Sequence, residues 1–289
     1  MHARIVTLLL AFVLAACLVG SAQGTGAWLD SNDVQIHYVD GGQGPPVVLV
    51  HGFTHSFARD WEATGTIAGI EKAGYRVIAM DCRGHGDSGK PHEPSQYGLE
   101  MVQDVIRLMD YLHIERAHIV GYSMGGGIAN QLLVNHPERV LTVTLIGAGW
   151  EGEDVQSFRA EMQAMADGLA KRDASALYRF VLPGQPLTDA QLAALNIALF
   201  ERNDPDVLAA IMKGNEPLYQ VSAASLRGAT LPVLAIVGDQ DPHNREGVHR
   251  MATVVKGLQV VELPGVTHAG SVKPSIEHII KFLDQHRGN

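Results

Sequence analysis

The sequence predicts an α/β protein, with a mostly parallel sheet, helices on both faces and one helical insertion. Three observations carry this. From about residue 27, short runs rich in Val, Ile and Leu alternate with stretches of helical spacing. Several runs are apolar throughout, as expected of strands covered on both faces. One long stretch, 151 to about 226, carries no convincing strand and interrupts the alternation.

The elements follow in order. Residues 34–39 read as a strand, followed by a Gly41-Gly42 turn. Pro46–Val50 is continuously apolar, and 75–80, 117–120, 141–146, 233–237 and 258–263 are similar. Helix-like stretches lie near 58–72, 98–112, 124–135, 244–255 and 273–286. Within the interruption, Phe158, Met162, Met165 and Leu169 repeat at helical spacing, as do Leu192, Leu195 and Leu199. This predicts a helical cap at 150–227 inserted into a core made of 27–149 and 228–289. The apolar faces of the cap must bury against something, and a cleft in the core is one solution.

Composition narrows the function. The chain has 289 residues, 46% of them apolar and 18% charged, which is the balance of a globular protein with a substantial core. Its formal net charge of -9, with no compensating basic block, argues against binding nucleic acid or an anionic lipid surface. No internal repeat or low-complexity tract is present.

The N-terminus differs. Arg4 is the only charged side chain before Asp30, and an apolar run at 5–20 is broken only by Thr7. That run is too short for a membrane-spanning helix. Residues 1–22 read as an export signal. The expected location is the cell envelope or periplasm. Leu14-Ala15-Ala16-Cys17 resembles a bacterial lipobox, which would lipidate Cys17 and attach the protein to a membrane. Gly20-Ser21-Ala22 offers the competing site for ordinary cleavage and soluble secretion. Cys17 and Cys82 are the only cysteines, and either form of processing argues against their forming an internal disulfide. No Cys/His spacing resembles a metal site, so no metal is expected.

Gly121-Tyr122-Ser123-Met124-Gly125 fits G-x-S-x-G and falls between a predicted strand and a predicted helix. The physics is steric. A nucleophile on so tight a turn needs small residues two positions before and after it. The following helix directs its N-terminal N–H groups at the site. A serine hydroxyl is a poor nucleophile at neutral pH, so it needs a base, and the base an orienting acid. Asp239 and Asp241 follow the predicted strand 233–237, and His268 follows 258–263. Both positions lie at C-terminal strand ends, where open α/β sheets place ligands.

On these motifs the chain from Val34 onwards resembles the α/β-hydrolase superfamily, in particular small capped bacterial esterases and lactonases. His51-Gly52-Phe53 resembles the family's oxyanion loop, and Asp81-Cys82-Arg83-Gly84-His85-Gly86-Asp87-Ser88 its D-x-R-G-x-G-x-S loop. The resemblance implies Ser123 as nucleophile, His268 as base and Asp241, three residues after Gly238, as acid in preference to Asp239. It implies the backbone N–H groups of Phe53 and Met124 as oxyanion donors, worth roughly 100- to 1000-fold in rate each. His51 and His85 would shape loops. From its place after the strand at 141–146, Trp150 is expected either to line the substrate pocket or to belong to the cap core, while Met162, Met165 and Met212 are expected to be packing.

The expected activity is hydrolysis of a small-molecule carboxylic ester or lactone through an acyl-enzyme, without cofactor. Carbon–carbon hydrolysis of a diketone-like substrate would use the same site. Haloalkane and epoxide chemistry is disfavoured, because those relatives carry aspartate where Ser123 stands. A non-catalytic binding protein is the remaining alternative. Gly147-Ala148-Gly149-Trp150-Glu151-Gly152 fits the dinucleotide pattern G-x-G-x-x-G, but its acidic residues would repel phosphate and no strand follows for about 80 residues.

Overall fold

The alternating apolar runs form an eight-stranded sheet. The computed structural model describes residues 26–182, 184 and 187–288. The strands are β1 (Ala27–Asp30), β2 (Gln35–Gly42), β3 (Pro46–Val50), β4 (Arg76–Met80), β5 (Ala117–Tyr122), β6 (Val140–Ile146), β7 (Val233–Gly238) and β8 (Gln259–Leu263). Their spatial order is β1-β2-β4-β3-β5-β6-β7-β8. Strands β3 to β8 are mutually parallel, while β2 runs antiparallel to both β1 and β4. The chain leaves β3 for β4 on one side, then returns to β5 on the other, so the strand order reverses there. Such a switch point is where a crevice opens beyond the strands' C-terminal ends.

The helices are α1 (Thr66–Lys72), α2 (Leu99–Tyr111), α3 (Met124–Asn135), α4 (Gln156–Ala170), α5 (Ser175–Val181), α6 (Asp189–Phe200), α7 (Pro205–Gly214), α8 (Glu216–Tyr219), α9 (Ala223–Gly228), α10 (Pro242–Ala252) and α11 (Val272–Gln285). Strand periodicity sorts the core into two layers. Val48, Ile78, Ile119 and Val143 face Val105 and Leu108 of α2 and Ile128 and Leu132 of α3. Val47, Leu49, Val77 and Ile236 point the other way, against Ile70 of α1 and Ile279 and Phe282 of α11. Both layers are almost wholly buried. Between β6 and β7 lie α4 to α9, and Met162, Leu169 and Leu208 from them join the first layer.

Two elements differ from the sequence reading. The expected helix at 58–72 is split into a wide π-type turn, Ala58–Glu62, and α1. Gly65 breaks it at φ 83°, and the Thr64 hydroxyl donates to the Asp60 carbonyl, drawing that group away from a regular helix. Strand β1 gave no apolar run because it is a four-residue edge strand that buries only Leu29.

A buried ion pair braces the loop after β4. Arg83 donates from Nε and one terminal nitrogen to the two carboxylate oxygens of Asp104 on α2, each at 2.6 Å, and both residues are fully buried. The Ser31 hydroxyl donates to the same carboxylate at 2.6 Å. Cys82 nearby is a free thiol, and burial pushes its pKa up. Among the described residues no helix is long and apolar enough to cross a membrane. Cys17 and the expected export signal lie outside the described residues.

Candidate active site

Ser123 occupies the turn between β5 and α3 with φ 53° and ψ -114°, a backbone state that L-residues adopt only when their surroundings enforce it. The surroundings do so. The Ser123 N–H donates to the Ile146 carbonyl at the end of β6, at 2.9 Å. A Cβ on Gly121 would overlap the Gly125 carbonyl, and a Cβ on Gly125 would overlap the carbonyl of Val50. The two glycines of the motif are therefore required by close backbone approach.

His268 follows β8 in the short turn His268–Gly270 and is buried. Its Nε2 lies 2.9 Å from Ser123 Oγ, and its Nδ1 lies 2.7 Å from Asp241 Oδ2. A carboxylate acceptor fixes the proton on Nδ1 and leaves the Nε2 lone pair towards the serine hydroxyl. The ring stacks on Tyr122 at 5.3 Å between centroids, and the hydroxyls of Tyr122 and Ser271 donate to the His268 carbonyl at 3.2 and 2.8 Å.

Asp241 sits just after β7, at the start of α10, and is 4% exposed. Burial pushes its carboxyl up, but hydrogen bonds from His268 and Asn244 outweigh this and hold it below the usual carboxylate range. Asp239 turns elsewhere. Its Oδ1 accepts from the N–H of Gly265 and the amide of Gln240, which shapes the turn after β8.

The loop after β3 is equally constrained. His51 Nδ1 donates to the Gly52 carbonyl at 2.7 Å, while its Nε2 accepts from the Cys82 N–H at 3.0 Å. The Gly52 N–H donates to Asp60 Oδ2 at 2.9 Å, and His55 Nδ1 lies 2.6 Å from Asp60 Oδ1. His85 packs edge-on against His51 and Phe53. Phe53 and Met124 both border the cleft that holds Ser123 and His268.

That cleft has a volume of about 300 Å³. Its far wall comes from the helices between β6 and β7, through Phe158, Met162, Met165, Leu199, Met212 and Tyr219. Met162, Met165 and Met212 are buried in the core, as the sequence reading has them, and they also form the cleft wall. The pocket reading of Trp150 is corrected: it does not line the cleft, and its other expected place, the core, is the one it takes. An indole N–H needs an acceptor when buried, and Trp150 finds one in the Val221 carbonyl at 2.7 Å, which fixes the ring in the core. Sequence reasoning also missed Asn244, Tyr122 and the His55–Asp60 pair. Asn244 had a signal, because it stands three residues beyond Asp241 on the first turn of a helix.

His37, Asp81 and Asp87 bring three potential metal ligands within 4.8 Å. The Asp81 carboxylate, however, already accepts from the N–H groups of Phe57 and Asp87 and meets His37 Nδ1. It serves as a loop brace.

A sequence profile of the alpha/beta hydrolase fold family matches residues 45–225. Among individual proteins, the chain is 35% identical over 124 residues to bifunctional epoxide hydrolase 2 of Sus scrofa, covering 43% of this chain and 22% of that one. It is 38% identical over 123 residues to 2-hydroxy-6-oxo-6-phenylhexa-2,4-dienoate hydrolase of Comamonas testosteroni, covering 43% of each. The match thus spans less than half the length of these relatives. Among solved structures, a bromoperoxidase from Bacillus anthracis superposes with a TM-score of 0.71 at 24% identity, covering 90% of this chain and all of that one. An enol-lactonase from Burkholderia xenovorans superposes with a TM-score of 0.66 at 26% identity, covering 89% and 100%. The profile match covers more than half of the chain, and the chain belongs to the alpha/beta hydrolase fold family.

Proposed function

We propose that the protein is a serine hydrolase that cleaves a carboxylic ester or lactone through an acyl-enzyme. The observation that carries this is the unbroken line from Ser123 Oγ through the two ring nitrogens of His268 to Asp241, opening on an apolar cleft. Ser123 Oγ attacks the carbonyl as its proton passes to His268 Nε2, and Asp241 stabilises the imidazolium. The backbone N–H groups of Phe53 and Met124 receive the charge developing on the carbonyl oxygen. Collapse expels the alcohol, which takes the proton from His268. Water then repeats the sequence on the acyl-enzyme. No step calls for a cofactor.

A second reading keeps the site and changes the bond. The Comamonas testosteroni relative above and another from the same organism, 2-hydroxy-6-oxononadienedioate/2-hydroxy-6-oxononatrienedioate hydrolase, 32% identical over 172 residues, favour carbon–carbon hydrolysis. The experiment is labelling with a fluorophosphonate probe, followed by assay against p-nitrophenyl esters of graded chain length, lactones and diketone-type substrates. Labelling that disappears in Ser123→Ala, with ester or lactone turnover, is expected. Labelling with turnover only of diketones selects the second reading. A folded protein that takes no label and turns over nothing is a binding protein.

A further inference from the structure

The cleft around Ser123 contains no Asp or Glu among its described lining residues, in a chain with a formal net charge of -9. It contains two arginines, Arg59 and Arg202. Arg59 belongs to the turn Ala58–Glu62 beyond β3, and Arg202 lies between α6 and α7, so one comes from the core and one from the helical insertion. Both are exposed, at the solvent side of the cleft. Neither guanidinium has a hydrogen-bond or ion-pair partner among the described residues. Burial raises the phenol of Tyr178 in the cleft wall, and the Arg59 charge opposes that rise. At Tyr122, beside Ser123, the carboxylates of Asp60 and Asp241 outweigh Arg59, so the cationic field belongs to the outer part of the cleft.

These facts divide the cleft by chemistry. The carbonyl end holds Ser123 and His268, the wall is aromatic, aliphatic and thioether, and the mouth is cationic. Low-dielectric walls lined by one sign of charge focus the field on an incoming ligand. A guanidinium with no protein partner presents its fork of donors to a carboxylate without first breaking an internal bond.

We propose that the preferred substrates carry a carboxylate at the end of the acyl chain remote from the scissile bond, held at the mouth by Arg59 and Arg202. This rests on the serine-hydrolase reading above. The apolar wall takes the hydrocarbon between the two ends, and the anionic tail distinguishes the substrate from a plain fatty ester. An exposed pair contributes modestly, so the effect belongs in KM more than in kcat.

The test compares p-nitrophenyl octanoate with the mono-p-nitrophenyl ester of octanedioic acid, in wild type and in Arg59→Gln/Arg202→Gln. The ratio of kcat/KM for the half-ester to that for octanoate should fall about tenfold in the double variant, through KM of the half-ester. Arg59→Lys/Arg202→Lys should restore part of it. Raising ionic strength from about 0.05 to about 0.5 M should lower the ratio in wild type and leave it flat in the glutamine variant. An unchanged ratio in the glutamine variant overturns the proposal. A chain that hydrolyses neither ester refutes the hydrolase reading separately. Binding then decides: calorimetry with octanamide and the half-amide of octanedioic acid should show the half-amide losing affinity in the double variant, and equal loss or none for both amides overturns the subsite.

Discussion

Asn244 donates from one side-chain amide nitrogen to both carboxylate oxygens of Asp241, at 3.0 and 3.1 Å, beside His268 Nδ1, which meets one of those oxygens at 2.7 Å and lies 3.2 Å from the same amide nitrogen. A buried carboxylate with two such donors stays ionised where burial alone would protonate it. Its lowered pKa stabilises the folded state above the ordinary carboxylate value of about 3.9, and that contribution is lost as pH falls through the lower folded value. Asn244→Ala removes one donor and lets burial push the carboxyl up. Its acid unfolding, followed by circular dichroism, should begin at higher pH than that of wild type. Superimposable acid transitions would remove Asn244 from this role.

The two aspartates after β7 make a paired comparison. Asp241→Asn should lower kcat by about 10⁴-fold, because an amide in that place selects the wrong histidine tautomer. Asp239→Asn loosens a turn and should change kcat by less than about tenfold. The measurement is steady-state kinetics on whichever ester the screen identifies. Equal losses would undo the assignment, and a larger loss at Asp239 would reverse it.

Much of this arrangement was legible because it is local or periodic. The seven apolar strands needed only runs of Val, Ile and Leu, and the serine turn needed only two glycines at fixed offsets. Asp239, Asp241 and His268 could be brought to the crevice because each follows a strand whose C-terminal end had to face it, and the choice of Asp241 over Asp239 rested on the family resemblance. What stayed hidden depends on partners distant in sequence. The position of Trp150 after a strand left cleft and core both open, and the choice is made by a carbonyl 71 residues away that claims its N–H. The methionines were read as packing because helical spacing says which face is apolar, not whether that face meets core or cavity. The break at Gly65 followed from a single left-handed residue within an otherwise helical pattern.

The pair between Arg83 and Asp104 carries a stability prediction. Asp104→Ala removes both hydrogen-bonded oxygens from the buried Arg83 guanidinium, leaving Glu100 at 3.8 Å as its remaining carboxylate, and should destabilise the fold by about 3 kcal/mol. The double change Arg83→Met/Asp104→Leu, which removes both charges, should destabilise it by less than the single change. Urea unfolding of the three proteins checks the order. A single variant as stable as the double one would mean that solvent reaches Arg83.

For the N-terminus, we propose that Cys17 becomes the lipidated N-terminus of the mature protein. Several acyl chains anchor firmly, since each buried methylene contributes about 0.8 kcal/mol. Expressed in a bacterium, the wild type should stay with membranes through a high-salt wash and Cys17→Ser should not. A wholly soluble wild type whose chain starts at Gln23 would select ordinary cleavage and leave the site unaffected.

Ser123 and His268 meet across 145 positions of chain, and His268 arrives only with the last strand. Contacts so distant in sequence form late, because the intervening chain must be ordered before they are rewarded. On the serine-hydrolase reading proposed above, a chain that has folded only as far as β7 holds the serine on its turn but lacks the proton acceptor, and it would be inert. Recovery of turnover after dilution from denaturant accordingly times the docking of β8, a different event from the collapse that fluorescence or circular dichroism would record.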